Sequence, residues 1–134
     1  MKSKFGYLVV VASTIYAMTP LTSYADTKRS PQYEKCMESI DLGALKNSQF
    51  VACNEQELKR QDVILNAAYS KLRAGLSPEQ REALTKGQRS WLTFKENWCR
   101  FEQVGPSAPG GDSNYTFCLL YVTDQQIKAI KDLQ

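Results

Sequence analysis

LNAAYSKLRAGLSPEQREALTKGQRSWL, residues 65–92, decides the fold. Gly75 closes one helical run, since glycine is the commonest stop signal after a helix. Ser77-Pro78-Glu79-Gln80 opens the next, with Ser77 as N-cap, proline at the first helical position and glutamine three residues after the cap. Upstream, Val51, Leu58, Leu65 and Leu72 recur every seven residues, with Tyr69 and Leu76 on the same stripe. Glu55, Glu57, Lys59, Arg60 and Lys71 fill the remaining positions. Downstream, Leu84, Trp91, Phe94 and Trp98 lie along one side of a helix that reaches about Phe101. The link is short, so the two helices are predicted to form an antiparallel hairpin.

Two shorter helices flank this hairpin. Ser30-Pro31 is a helix start that carries Cys36 and fades before Gly43, and Asn47-Ser48 caps the long helix that follows. After Gln103, the breakers Gly105-Pro106, Pro109-Gly110-Gly111 and Asp112-Ser113-Asn114 predict a loop to Thr116. A last helix is expected from Thr116 or Phe117, with Leu120, Ile127 and Ile130 on its apolar face. The expected class is all-α: a small disulfide-stapled bundle of about four helices.

The first residues read as an export signal. Lys2 and Lys4 precede an apolar run from Phe5 to Met18, Pro20 ends it, and Ser23-Tyr24-Ala25 supplies a small-residue cleavage site. The run is short for a bilayer span. The expected organisation is a signal peptide over 1–25 and one helical domain over 26–134, periplasmic or secreted, with no membrane span after cleavage. Cys36, Cys53, Cys99 and Cys118 are an even set in a short exported chain, which reads as two disulfides. Cys53 and Cys99 are equidistant from Leu76, so they share the end of the hairpin opposite its turn. Cys36–Cys53 with Cys99–Cys118 closes the shortest loops, each of about 20 residues and worth roughly 3 kcal/mol. Cys53–Cys99 with Cys36–Cys118 also fits, and the three connectivities stay open.

Composition narrows the chemistry. The chain has 134 residues, a net charge of +3 and no histidine. Without histidine, Ser-His and Cys-His catalysis are excluded, and the commonest metal ligand is missing. No two cysteines have zinc-site spacing, and no phosphate or dinucleotide loop is present. The charges alternate in sign with no basic block, so no nucleic-acid partner is indicated. We therefore expect no catalytic residue, cofactor or metal, and a protein target; nothing sets the oligomeric state.

Two groups of residues stand out. Asp62 lies on the apolar stripe between Leu58 and Leu65, with Asn66 one turn on and Gln88 and Trp91 across the hairpin. Asp62, Asn66, Gln88 and Trp91 are expected to form a buried structural network, whose loss in Asp62→Ala would cost about 2 kcal/mol. The segment from Gly110 to Tyr115 (Gly110, Gly111, Asp112, Ser113, Asn114 and Tyr115) is the candidate binding element, a tethered loop on a rigid helical base.

The run Cys36…Ser48-Gln49…Cys53, then Asp62-x-x-Leu65-Asn66-x-x-Tyr69, then Leu84-x-x-x-Gln88-Arg89-x-Trp91-Leu92…Cys99, then Gly110-Gly111…Cys118…Thr123…Ile127…Leu133, resembles the LprI-type lysozyme inhibitor family over the whole predicted domain. The resemblance implies a periplasmic or secreted helical protein that blocks lysozyme. Lys95 and Gln126 stand where the family usually has arginine, so the surroundings of Asp62 are expected to be rebuilt. Lysozyme cuts with two carboxylates in a cleft. An inhibitory loop would offer them the donors of Ser113, Asn114, Tyr115 and the Gly110–Gly111 backbone, although Asp112 would be repelled. An envelope immunity protein or assembly partner for a different target is the alternative.

Overall fold

The computed structural model describes residues 29–44, 46–106 and 110–134. The export signal read over 1–25 lies outside the described residues. Four helices account for the fold: α1 (Pro31–Glu38), α2 (Asn47–Ala74), α3 (Pro78–Val104) and α4 (Gly111–Lys131). The starts of α1 and α3 follow local chemistry, whereas α2 begins after Lys46 with no side-chain cap, so the cap expected at Asn47-Ser48 is not formed and Asn47 is already helical. Ser30 caps α1 by accepting from the Tyr33 N–H, with Pro31 behind it. Ser77 and Gln80 form a complete capping box at α3: Gln80 N–H donates to Ser77 Oγ (3.3 Å), and Ser77 N–H to Gln80 Oε1 (2.9 Å).

The arrangement is set by α4, which fills the groove between the arms of the hairpin and packs extensively on both α2 and α3. Bonds to α2 step along both helices in the same direction: Ser113 to Asn47, Asn54 to Thr116, Gln61 to Asp124. Helices α2 and α4 are therefore parallel. Against α3 the order reverses, with Gln103 meeting Asp112, Cys99 meeting Cys118 and Lys95 meeting Thr123. Near the turn the arms still touch through Tyr69 Oη and Thr85 Oγ1 (3.1 Å).

Disulfides join Cys36 to Cys53 and Cys99 to Cys118, with Cα atoms 5.8 and 5.4 Å apart. The first ties α1 to α2 and the second ties α3 to α4, as the short-loop pairing anticipated. Around them lie Tyr33, Cys53 and Leu120 on one side and Cys99, Leu119 and Val122 on the other. A third cluster, Leu65, Ala68, Ile127 and Ile130, fills the space toward the turn. No helix among the described residues is long and apolar enough to cross a membrane.

The buried stripe of α2 differs from the heptad reading. Asn54, Glu57, Gln61, Leu65 and Ala68 point inward, whereas Val51, Leu58 and Leu72 are only half-buried. Glu57, expected on the solvent face, is 3% exposed. It accepts from Ser30 N–H (3.1 Å), from Ser30 Oγ (2.6 Å) and from the guanidinium of Arg60. Alongside it, Tyr33 Oη donates to Asn54 Oδ1 (2.9 Å), and Asn54 Nδ2 donates to Thr116 Oγ1 (3.0 Å). Gln61 Nε2 donates to Asp124, which also pairs with Arg29. These polar side chains are tolerated inside because each finds partners on another element.

Two predictions follow from this packing. Serine at both Cys99 and Cys118 should lower unfolding free energy in urea by about 3 kcal/mol, while leaving the helical circular dichroism in place. Burial alone would push the Glu57 carboxyl up, but the bonds from Arg60 and Ser30 and the charge of Arg60 outweigh it and hold the group at about 2 instead of 4.5. Its stabilisation is complete above about pH 5 and fades as pH falls toward 2. Discounted for the solvent beside Arg60, it amounts to about 2 kcal/mol. Glu57→Gln should be less stable at pH 7 and should show a flatter fall in stability between pH 5 and 2.

Candidate functional site

Helix α4 begins at Gly111, one and a half turns before the expected start, so Gly111 to Tyr115 are helical and not a loop. The earlier start depends on Gly110 and Gly111, whose φ angles of 82° and 62° lie in the left-handed region that favours glycine. The breaker cluster is therefore a helix entry. The connection shrinks to Gly105–Gly110, of which residues 107–109 lie outside the described residues.

Most of the six residues read as a binding element are engaged within the fold. Gly110 N–H donates to Asn114 Oδ1 (3.1 Å), and Asn114 Nδ2 donates to the Glu102 carbonyl (3.4 Å). Ser113 is buried, with its hydroxyl on the Asn47 carbonyl (3.4 Å). Asp112 accepts from Gln103 Nε2 (2.7 Å) on the surface. Tyr115 Oη donates to Glu96 Oε2 (2.8 Å), and Arg100 lies 4.4 Å from the centre of the Tyr115 ring. The hydroxyl bond from Tyr115, followed by that from Arg100, lowers the Glu96 pKa; burial and the bond to Glu96 raise that of Tyr115. Together these bonds clasp the ends of α3 and α4 beside the Cys99–Cys118 bridge. Only Gly111 and Asp112 of the six stand exposed.

The network expected around Asp62 is also placed differently. The deeply buried acids are Glu57 and Asp124, while Asp62 is half-buried and Asn66 is exposed. Asp62, Asn66, Tyr69, Gln88 and Lys95 line an open groove of about 450 Å³ between α2 and α3. Gln88 is engaged by Gln126 Nε2 (2.9 Å), and Lys95 Nζ lies 4.8 Å from the centre of the Trp91 ring, donating to Thr123 Oγ1 at 3.5 Å. Burial lowers the Lys95 pKa, and the charges of Asp62 and Glu96 act against that. The two positions that depart from the family pattern, Lys95 and Gln126, thus both bridge α3 and α4. Asp62 influences Lys95 through its field.

A surface that the sequence reading did not isolate lies on the outer side of α3. Phe94, Trp98 and Phe101 are about half exposed, at 54%, 46% and 53%. Their rings form a continuous ridge: Phe94 and Trp98 stack with centroids 6.3 Å apart, and Trp98 and Phe101 lie at 5.5 Å. Val104 extends the ridge to the α3–α4 corner, ending beside Gly105. By spacing alone Phe94 and Trp98 share one apolar side of α3 with Trp91. Only Trp91 packs against the core. The available signal was Cys99: a disulfide cysteine marks the inner face, and at helical spacing Trp91 and Lys95 fall nearer that face than Phe94, Trp98 or Phe101. Exposed aromatics on a rigid element are the usual anchors of protein interfaces.

The sequence model of a family described as "Lysozyme inhibitor LprI" matches residues 43–130. That span holds α2, α3, almost all of α4, and three of the four cysteines. No curated protein and no solved structure matches the chain.

The burial pattern reverses the expectation for Asp62. Asp62→Ala should change stability by less than about 1 kcal/mol, because a half-exposed carboxylate gains little from pairing. Asp124→Ala should cost about 3 kcal/mol by leaving Arg29 and Gln61 without their acceptor. Parallel urea titrations of the two variants at pH 7 measure the difference.

Proposed function

The chain belongs to the LprI lysozyme inhibitor family, and from that premise we propose that it is an exported protein that binds lysozyme and blocks its cleft. The observation that carries this reading is the family match over residues 43–130, which takes in nearly all of the three-helix platform. Two disulfides suit an oxidising compartment outside the cytoplasm. In this reading residues 1–25 are the export leader and residues 26–134 the inhibitory domain.

The docking element in this proposal is the end of α3 together with its corner. Phe94, Trp98 and Phe101 supply rigid apolar anchors, and the exposed Gly111 and Asp112 at the start of α4 lie at the same end of the bundle. Rigid anchors lose little entropy on docking, which favours tight binding from a modest area. Gly110 and Gly111 bring bare backbone to that end, beside the Asp112 carboxylate. The nearby disulfide Cys99–Cys118 and the Tyr115–Glu96–Arg100 clasp hold the corner in shape. An acid at the tip is a poor partner for two catalytic carboxylates. The aromatic ridge therefore makes the principal contact, and Asp112 lies toward the rim.

The test is cell-wall lysis by lysozymes of several classes, with and without the purified protein. At least one class should be inhibited at micromolar concentration. Trp98→Ala and Phe101→Ala should each weaken that inhibition about tenfold or more, with unchanged thermal midpoints, because both side chains lie outside the buried core. Absence of inhibition for every class would refute lysozyme as the target and leave the ridge to a different envelope protein.

A further inference from the structure

At the turn end of the hairpin, far along α3 from the aromatic ridge, is an open cleft of about 640 Å³. Arg73 from α2 and Arg81, Lys86 and Arg89 from α3 line it, with Glu82 and Thr85. Four cations thus face one acid. The ion pairs found among the described residues involve Arg29, Arg60, Arg100 and Lys128, and none of the four cleft cations. Arg81 is held in place on one side only, with its Nη2 donating to the Ala74 carbonyl at 3.4 Å. Its Nε–H is buried and meets no acceptor among the described residues. Thr85, bonded to the Arg81 carbonyl and to Tyr69, stiffens the floor.

Like charges gathered at a concave site repel one another, and a buried guanidinium N–H without an acceptor is unfavourable. An anion held in the cleft relieves that repulsion. We infer that the cleft lined by Arg73, Arg81, Lys86 and Arg89 binds a phosphate-type oxyanion. Its oxygens accept from the guanidinium groups of Arg81 and Arg89, while Lys86 and Arg73 neutralise the second charge. Arginine suits this role because its planar donors pair with two oxygens at once. The phosphate comes either from a soluble molecule or from an anionic lipid headgroup at the membrane surface. This site goes beyond lysozyme binding, because it lies at the end of α3 remote from the ridge.

The experiment follows the Arg81 Nε–H resonance of the ¹⁵N-labelled protein during titration with inorganic phosphate, and with sodium chloride at matched ionic strength. In parallel, the protein is sedimented with phosphatidylcholine vesicles with and without phosphatidylglycerol. Phosphate should shift the Arg81 signal in a saturable way that chloride does not reproduce, which assigns the soluble form. Co-sedimentation that requires phosphatidylglycerol assigns the lipid form. In either arm, Arg81→Gln with Arg89→Gln should weaken binding roughly tenfold or more. Lys86→Gln, an exposed change that spares the helix packing, should weaken it by a smaller factor. Equal binding by wild type and the double variant would overturn the proposal, as would equal shifts with chloride or no response in either arm. Lysis assays run beside these titrations read the inhibitory function independently of the cleft.

Discussion

Along the inner face of α2 a row of polar side chains is taken out of water and bonded to other elements: Asn54 to Tyr33 and Thr116, Glu57 to Ser30 as well as to Arg60, and Gln61 through its Nε2 to Asp124. The remaining architecture depends on this seam. A polar group left unpaired in the interior costs more than a bond gains, so the seam accepts one relative placement of α2 and α4. It sets α4 parallel to α2, and it draws the segment around Arg29 and Ser30 onto the same face. On the other side of α4, the Cys99–Cys118 bridge and the aliphatic contacts of Leu119 and Val122 hold α3. Helix α4 is thus the keel of the bundle, and the arms of the hairpin need meet only near their turn.

That division of labour determines what is left outside. A helix that faces a single neighbour keeps a wide solvent face, and on α3 this face carries Phe94, Trp98 and Phe101 at one end and Arg81, Lys86 and Arg89 at the other. One end is apolar and aromatic, the other cationic and concave. The two ends suit different partners: a protein surface that accepts ring anchors, and a compact anion. The family to which the chain belongs is described as one of lysozyme inhibitors.

The bonds around the corner of α3 and α4 show how a segment rich in turn formers becomes ordered. Gly110 and Gly111 adopt the left-handed backbone, Asn114 folds back onto the Gly110 N–H, and Ser113 reaches across to Asn47. Side chains that look like donors for a ligand are then used to close the fold. Among the six residues from Gly110 to Tyr115, Gly111 and Asp112 are the ones left exposed.

Much of this was legible along the chain. The capping box at Ser77–Gln80, the Ser30-Pro31 entry, the Gly75 stop and the short spacing of the paired cysteines each depend on residues close in sequence. Such signals survive without knowledge of the partner, because backbone termini and small loops are satisfied locally. The inward face of α2 could not be read in the same way. Glu57 and Gln61 look like surface residues until Ser30 and Asp124 arrive from 27 and 63 positions away. The same holds for Trp98, apolar by type yet exposed because α4 occupies the opposite side of α3. The helix count, the caps of α1 and α3 and the presence of two disulfides were determined by the sequence itself, whereas the start of α4 and the choice among connectivities were not. Which faces are buried, and therefore which residues remain to meet a partner, was decided only by tertiary packing, since the burial of a polar or aromatic side chain is a property of what packs against it.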